Sequence, residues 1–176
     1  MRRILLHTCC GPCATSSIER LIKNNIIPTL FFDNPNIAPN DEREKRRETL
    51  HNVAMHYNVE VIDGYTLHEE WLNEIKGLET CAEGGARCLK CFYFNAALAS
   101  KKAKEFNFEN FTTTLTVSRF KNTNNIFNEF SKFDGFTKEF DFKKQAGFER
   151  SCKLSLEMGL YRQHYCGCEF SIQGKK

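Results

Sequence analysis

The chain has 176 residues, nine of them cysteine, and a formal net charge of +3 at neutral pH. A chain of this length can bury about two thirds of its unfolded surface, so it does not need disulfides to hold a core together. No run of residues approaches the ~20 apolar positions of a membrane span, and the first residues carry no apolar leader. We therefore expect one domain over residues 1–176 in a reducing, cytoplasmic setting, with no membrane partner.

The first half of the chain alternates strand patterns with helix patterns. Runs of apolar and β-branched residues predict strands at 2–7, 26–32 and 59–62. Helical spacing predicts a helix that starts at Pro12 and ends near Asn24, and a charged helix from Glu42 to about Tyr57 that Asp41 caps. This β-α-β-α-β order predicts an α/β fold with a mostly parallel sheet flanked by helices.

The second half continues with similar patterns. A short amphipathic helix is predicted from Leu67 to Ile75, and a long helix opens at Cys88 and continues through Ala103. Further strands are predicted at 111–115 and 136–140, and further helices at 122–133 and from about 149 to 158. The sixteen phenylalanines fall mostly at strand or helix spacing, so we expect them to pack in the core rather than to stack on bases.

Seven of the nine cysteines fall in three close-spaced groups, which are Cys9, Cys10 and Cys13; Cys88 and Cys91; and Cys166 and Cys168. The first group lies at a strand-to-helix turn, and ligands of open α/β sheets bind at that edge. The first turn of a helix also stabilises thiolates. One tetrahedral zinc or one [4Fe–4S] cluster needs four thiolates, so the surplus favours two metal centres, or one cluster beside free redox thiols.

Other uses of the thiols remain open from the residues alone. A structural zinc site would make the chain a non-catalytic zinc-binding, RNA-binding module. A thiol-disulfide oxidoreductase could use Cys10-Gly11-Pro12-Cys13, but the four later grouped thiols would then have no task. Cys81 and Cys152 stand apart from the groups and are interpreted as non-ligands.

The C-terminal fifth of the chain is basic. From Lys143 onward it carries seven lysines and arginines against three glutamates. Such a region is either a solvated surface or a contact for a phosphate backbone.

Several blocks, taken together and in order, resemble the QueH-type epoxyqueuosine reductases. They are Leu6-His7-Thr8-Cys9-Cys10-Gly11-Pro12-Cys13, Asn34-Pro35-Asn36-Ile37, Glu83-Gly84-Gly85-Ala86-Arg87-Cys88 with Cys91, Asp141-Phe142-Lys143-Lys144, and the run from Gly159 to Cys168. The resemblance implies an HUP-like (adenine nucleotide alpha hydrolase-like) α/β fold. It also implies reduction of the epoxide of epoxyqueuosine, at the wobble position of a tRNA anticodon, to the alkene of queuosine.

The same resemblance implies a [4Fe–4S] cluster and an adjacent mononuclear iron, with all seven grouped cysteines as metal ligands. We expect Cys88 and Cys91, together with Cys9, Cys10 or both, to hold the cluster. The remaining three, Cys13, Cys166 and Cys168, are then expected to lie nearer the second iron.

The implied reaction consumes two electrons and two protons, so it requires an electron donor as a partner and a proton source in the site. His164 and Tyr161, beside the last cysteine pair, are the expected proton donors. The expected substrate-binding residues are Arg87, Arg162, Gln163, Asn34, Lys143 and Lys144. A planar guanidinium suits phosphate and stacks on bases, and the two lysines are assigned to the backbone of the anticodon stem-loop.

Overall fold

The structure is a computed structural model that describes residues 2–173, and a four-stranded parallel sheet lies at its centre. The strands are β1 (Arg2–His7), β2 (Ile26–Phe32), β3 (Val61–Asp63) and β4 (Phe111–Thr113), in the spatial order β3-β2-β1-β4. Every pairing is parallel. The predicted α/β class is confirmed, and an HUP-like classification is consistent with it. The strand order reverses between β1 and β4, and such a point is where ligands bind in open α/β folds.

Seven α-helices are formed within the described residues 2–173. They are α1 (Gly11–Lys23), α2 (Asn40–Tyr57), α3 (His68–Glu74), α4 (Ala86–Glu105), α5 (Thr123–Phe130), α6 (Gly147–Glu157) and α7 (Glu169–Gln173). A 3₁₀ helix, Thr114–Val117, follows β4 directly. Over the same residues, no helix combines the length and apolarity needed to cross a membrane.

The core has two halves, one on each face of the sheet, apart from a smaller cluster of Trp71, Ile75 and Cys168. Ile4 and Leu6 of β1 belong to the half formed with α1 and α2, whereas Leu5 belongs to the half formed with α4 and α5. Successive side chains of a strand point to opposite faces, so β1 contributes to both halves. Burial on both faces explains why the strands read as continuous apolar runs.

The predicted strand at 136–140 is wrong. These described residues form only an isolated bridge between Phe136 and Phe111. The two phenylalanines of this segment serve the two core halves instead: Phe136 packs against the α4–α5 half, and Phe140 is buried in the α1–α2 half. Phe140 lies stacked on Phe142, with ring centroids 5.7 Å apart.

Two boundary predictions are also corrected. The N-cap of α2 is Pro39, and Asp41 lies in the first turn rather than at the cap. The strand predicted at 111–115 ends at Thr113 because the Thr113 side chain accepts the N–H of Leu115, which starts the 3₁₀ helix. Helix α7 was not predicted.

The C-terminal loop (residues 159–168) is held to the body by a buried arginine. Arg46 of α2 is 1% exposed and donates to the carbonyls of Tyr165 at 3.1 Å and Cys166 at 3.0 Å. The Nε–H of Arg46 donates to the Glu42 carboxylate at 2.7 Å. The loop is also joined to the segment after β2, since the Ala38 N–H donates to the Gly167 carbonyl at 2.9 Å.

Gly167 permits this close docking. Its φ of +133° is rarely adopted by other residues, and a Cβ at this position would lie 3.0 Å from Ile37 and 3.1 Å from the Arg46 guanidinium. The loop therefore brings Cys166 and Cys168 to a fixed place on the body of the fold.

We expect Arg46→Met to destabilise the protein strongly. The change leaves Glu42 without its buried ionic partner and two loop carbonyls without their donors, which costs roughly 3–5 kcal/mol. Urea unfolding followed by far-UV circular dichroism measures this loss.

Arg47→Met on the same helix is the matched control. Arg47 pairs with Glu44 and lies 3.7 Å from the Asp63 carboxylate, but its own side chain is 31% exposed, so its loss should cost less than about 1 kcal/mol. Equal losses in the two variants would contradict the role given to Arg46.

Candidate metal centre

Cys9, Cys10 and Cys13 form a compact three-sulfur group at the turn from β1 into α1. Their sulfur atoms all lie within 4.8 Å of one another. Cys10 is the N-cap of α1, and its sulfur accepts the N–H of Cys13 at 3.5 Å. The first amides of a helix have no helical partner, so they favour a thiolate at this position. The turn thus presents three soft ligands to one point.

Cys10 ionises most readily of the three. Hydrogen bonds from Cys13 and Cys9 hold the pKa of Cys10 well below its ordinary value, and the charge of Arg46 adds to the effect. The Gln163 side chain also donates to the Cys10 sulfur, at 3.0 Å. As the donors in this arrangement, Cys9 and Cys13 have raised pKa values, with the pKa of Cys9 at about 11. Of the three sulfurs, Cys10 is therefore the one at which the fold most favours the thiolate form, and a bound cation would favour that form at all three.

The other four grouped cysteines line a cavity of about 120 Å³ beside this turn, and they are Cys88, Cys91, Cys166 and Cys168. Cys88 and Cys91 come from the first turns of α4, and the other two come from the C-terminal loop. Burial raises the pKa of Cys88, Cys91 and Cys168. These buried thiols favour the neutral form until a metal compensates for the thiolate charge.

N–H donors point at the sulfurs of this cavity. The backbone N–H of Gly84 donates to Cys88 at 3.1 Å, and the Asn95 side chain donates to Cys91 at 3.4 Å. Trp71 lines the cavity fully buried, and its indole nitrogen has no oxygen or nitrogen partner among the described residues. Thiolates with N–H donors around them are the surroundings that iron–sulfur clusters use, so the residues present fit such a group.

Lys121 was not predicted as a site residue, although it lines the same cavity. Burial alone would lower the pKa of Lys121, but its electrostatic interactions with Cys166, Cys9 and Cys13 raise that pKa above its ordinary value. The ammonium therefore links the two cysteine groups electrostatically. A lone lysine carries no motif; the available signal was its place shortly after β4, at the edge where ligands bind.

A buried histidine backs the three-sulfur group. Burial lowers the pKa of His7 to about 4, so its ring is neutral at physiological pH. The ring nitrogen Nδ1 lies 2.9 Å from the hydroxyl of Thr113 on the neighbouring strand. His7 thus joins β1 to β4 below the site.

Three of the predicted substrate-binding residues hold the walls of the site. Arg87 is buried, lines the cavity, and donates to the carbonyls of Glu79 and Cys81. Asn34 donates to the Thr8 carbonyl at 2.8 Å, beside the cysteine turn. The third, Arg162, donates to the Ser155 hydroxyl at 3.0 Å and so joins the C-terminal loop to α6.

The predicted proton donors and the two lysines lie outside the described lining of the cysteine cavity. Tyr161 donates to Glu42 at 2.7 Å and lines a second cavity beside α2. His164 is exposed. Lys143 donates to the Lys121 carbonyl at 2.6 Å, whereas Lys144 is exposed.

Comparison with known proteins identifies the family. A family model described as "Epoxyqueuosine reductase QueH" matches residues 4–174, a range that contains all three cysteine groups. A curated relative of that name from Thermotoga maritima is 35% identical in an alignment that covers 98% of this chain and 91% of the relative. One from Streptococcus pyogenes serotype M1 is 34% identical, covering 97% of this chain and 70% of the relative. One from Haemophilus influenzae is 32% identical, covering 97% of this chain and 72% of the relative. The chain thus belongs to the epoxyqueuosine reductase QueH family.

Proposed function

We propose that this protein reduces the epoxide of epoxyqueuosine, at the wobble position of a tRNA anticodon, to the alkene of queuosine. The reaction takes up two electrons and two protons and releases the epoxide oxygen as water. The observation that carries the proposal is the convergence of seven thiols on the ligand-binding edge of the sheet, in a chain that belongs to the QueH family. The substrate is then tRNA, the electrons come from a separate donor, and the reaction takes place in the cytoplasm.

The thiols are assigned to a [4Fe–4S] cluster and an additional mononuclear iron. When bound, such a cluster supplies electrons singly, and a neighbouring iron acts as a Lewis acid for an oxygen atom. Thiolates that bind one tetrahedral ion at about 2.3 Å lie roughly 3.8 Å apart. The Cys9 and Cys10 sulfurs are 3.9 Å apart, so the three-sulfur group suits the single iron, with Cys13 as its third ligand.

The four cysteines that line the cavity are then assigned to the cluster. This division differs from the one expected from the sequence, which grouped Cys13 with Cys166 and Cys168. It is supported by the separation of the thiols into one compact group and one cavity wall. Lys121 would offset the negative charge that both groups acquire as thiolates.

Tyr161 and His164 remain the proposed proton donors. The pKa of Tyr161 is raised to about 12, first by burial and then by the hydrogen bond to Glu42. The phenol is protonated at physiological pH, as an ordinary tyrosine is, and it donates a hydrogen bond to Glu42 at 2.7 Å. The substrate nucleoside is assigned to the residues that shape the walls of the site, which are Arg87, Arg162, Gln163 and Asn34. The phosphate backbone is assigned to Lys143 and Lys144.

Conversion of the nucleoside tests the proposed function. We expect anaerobically purified, iron-loaded protein to convert epoxyqueuosine in tRNA to queuosine when dithionite supplies electrons. Mass spectrometry of the digested nucleosides would show the loss of one oxygen. The double variant Cys88→Ala with Cys91→Ala should show no conversion, because it removes two assigned cluster ligands. A colourless, zinc-containing wild type that leaves the epoxide intact would instead indicate a zinc-binding RNA module.

The division of the thiols predicts a selective effect of Cys13→Ala. We expect this variant to keep most of the visible absorbance of the cluster, while bound iron falls by about one per chain. Iron analysis and the visible spectrum of the same anaerobic sample measure the two quantities.

Cys152→Ala is the matched control, because Cys152 lies on α6 outside both thiol groups. It should change neither the iron content nor the absorbance. Complete loss of the cluster absorbance in Cys13→Ala would refute the division.

The assignment of the basic region predicts a change in salt dependence. Lys144 is exposed, and a contact with phosphate would contribute to the fall of log K for tRNA binding with log salt. Replacement of Lys144 by alanine should make this negative slope shallower by up to about 0.9. Lys104→Ala is the control, since Lys104 is exposed on α4 at roughly 24 Å along the helix from Cys88. Binding titrations at several salt concentrations measure both slopes, and identical slopes for wild type and Lys144→Ala would exclude this contact.

A further inference from the structure

We propose that Phe120 stacks on a base of the anticodon loop that neighbours the modified nucleoside. The inference rests on the proposed function, which supplies an RNA substrate, and it names a recognition residue that the cysteine motifs do not reveal. Phe120 is 80% exposed, and it lines the mouth of the cavity that contains Cys88, Cys91, Cys166 and Cys168. A large apolar ring is thus presented to solvent next to the proposed metal centre.

Phe120 is linked to the core through contacts of Arg119 with two aromatic rings. The Arg119 guanidinium carbon lies 5.0 Å from the centroid of the Phe120 ring and 5.0 Å from that of Phe148. Phe148 belongs to α6 and packs against the α1–α2 half of the core. A guanidinium in contact with aromatic rings is held in orientation, so the exposed ring has a firm base.

The backbone that carries Phe120 is fixed as well. The Phe120 N–H donates to the Ser118 hydroxyl at 3.3 Å, and the Lys121 N–H donates to the Ser118 carbonyl at 3.3 Å. Asn122 then caps α5 by accepting the N–H of Asn125 at 3.1 Å. A tight turn and a helix cap on either side reduce the ordering cost when a ligand binds to the ring.

The charge and polarity of the surroundings favour a nucleobase over an apolar partner. Residues 118–128 include Arg119 and Lys121 and contain no acidic side chain, which suits a chain of phosphates. The amides of Asn122 and Asn125 line the same wall and can meet the edges of bases, while Glu83 lines the cavity with a carboxylate.

Insertion of a nucleoside into the cavity would favour a stacking partner at this place. An enzyme that acts on a base takes it out of the stack, and the neighbouring base then loses one of its stacking faces. Single-stranded loops are recognised by aromatic rings that replace such faces. Phe120 lies at the cavity mouth, where the neighbour of an inserted nucleoside would come to rest.

An RNA hairpin with the anticodon-loop sequence tests the inference. The hairpin carries epoxyqueuosine at the wobble position and 2-aminopurine, whose fluorescence is quenched by stacking, at the adjacent anticodon position. Wild-type protein and Phe120→Trp should quench the probe on binding. With Phe120→Ala the bound probe should fluoresce more brightly, and Kd should rise roughly 5- to 150-fold. This range corresponds to the loss of the stacking free energy of one base.

Phe106→Ala is the matched control. Phe106 is a 47% exposed phenylalanine with a cationic neighbour, Lys102, but it lies at the far end of α4. This variant should bind and quench like wild type. If the wild type converts epoxyqueuosine in the hairpin and Phe120→Ala binds with the same Kd and the same quenching, the stacking assignment is overturned and the proposed function stands. If the wild type neither binds nor converts the hairpin, both fail.

Discussion

The site depends on one buried charge, the guanidinium of Arg46. Parallel strands place the Cys9–Cys13 turn at the ligand-binding edge of the sheet, beside the start of α4, but the C-terminal loop has no strand that would locate it there. Arg46 supplies that location by donating to two loop carbonyls while Glu42 offsets its charge. The same guanidinium also favours the Cys10 thiolate. A single residue of α2 therefore ties the position of the third cysteine group to the ionisation of the first.

Burial and charge act against each other in the cavity. Taking thiols out of water disfavours their ionised form, whereas metal ligation requires thiolates. The fold reduces this cost with groups that stabilise negative sulfur: N–H donors at Cys88 and Cys91, and the Lys121 ammonium near both cysteine groups. The Lys143 ammonium donates to the Lys121 carbonyl. Lys143, which is assigned to RNA binding, therefore also fixes the backbone of a residue that lines the metal site.

The sequence predicts most of the fold because the strands are buried on both faces. The apolar runs at 2–7 and 26–32 coincide with β1 and β2. The cysteine spacing predicts a metal centre, and the fold brings three of those sulfurs within 4.8 Å of one another. The failures have a common origin in tertiary packing. A strand over 136–140 would place Phe136 and Phe140 on one face, but the chain passes here from one half of the core to the other, which the local pattern does not reveal. Arg46, Lys121 and Phe120 belong to no motif, and their roles follow from contacts between residues far apart in the chain.

The central claim is that all seven grouped thiols serve one site that holds two kinds of iron. Mössbauer spectroscopy of protein loaded with iron-57 tests this claim most directly, because each iron environment gives its own quadrupole doublet. A cluster beside a mononuclear iron predicts two components with areas in a ratio of about 4:1. A single cluster component with no second iron, or protein that binds zinc in place of iron, would contradict the account.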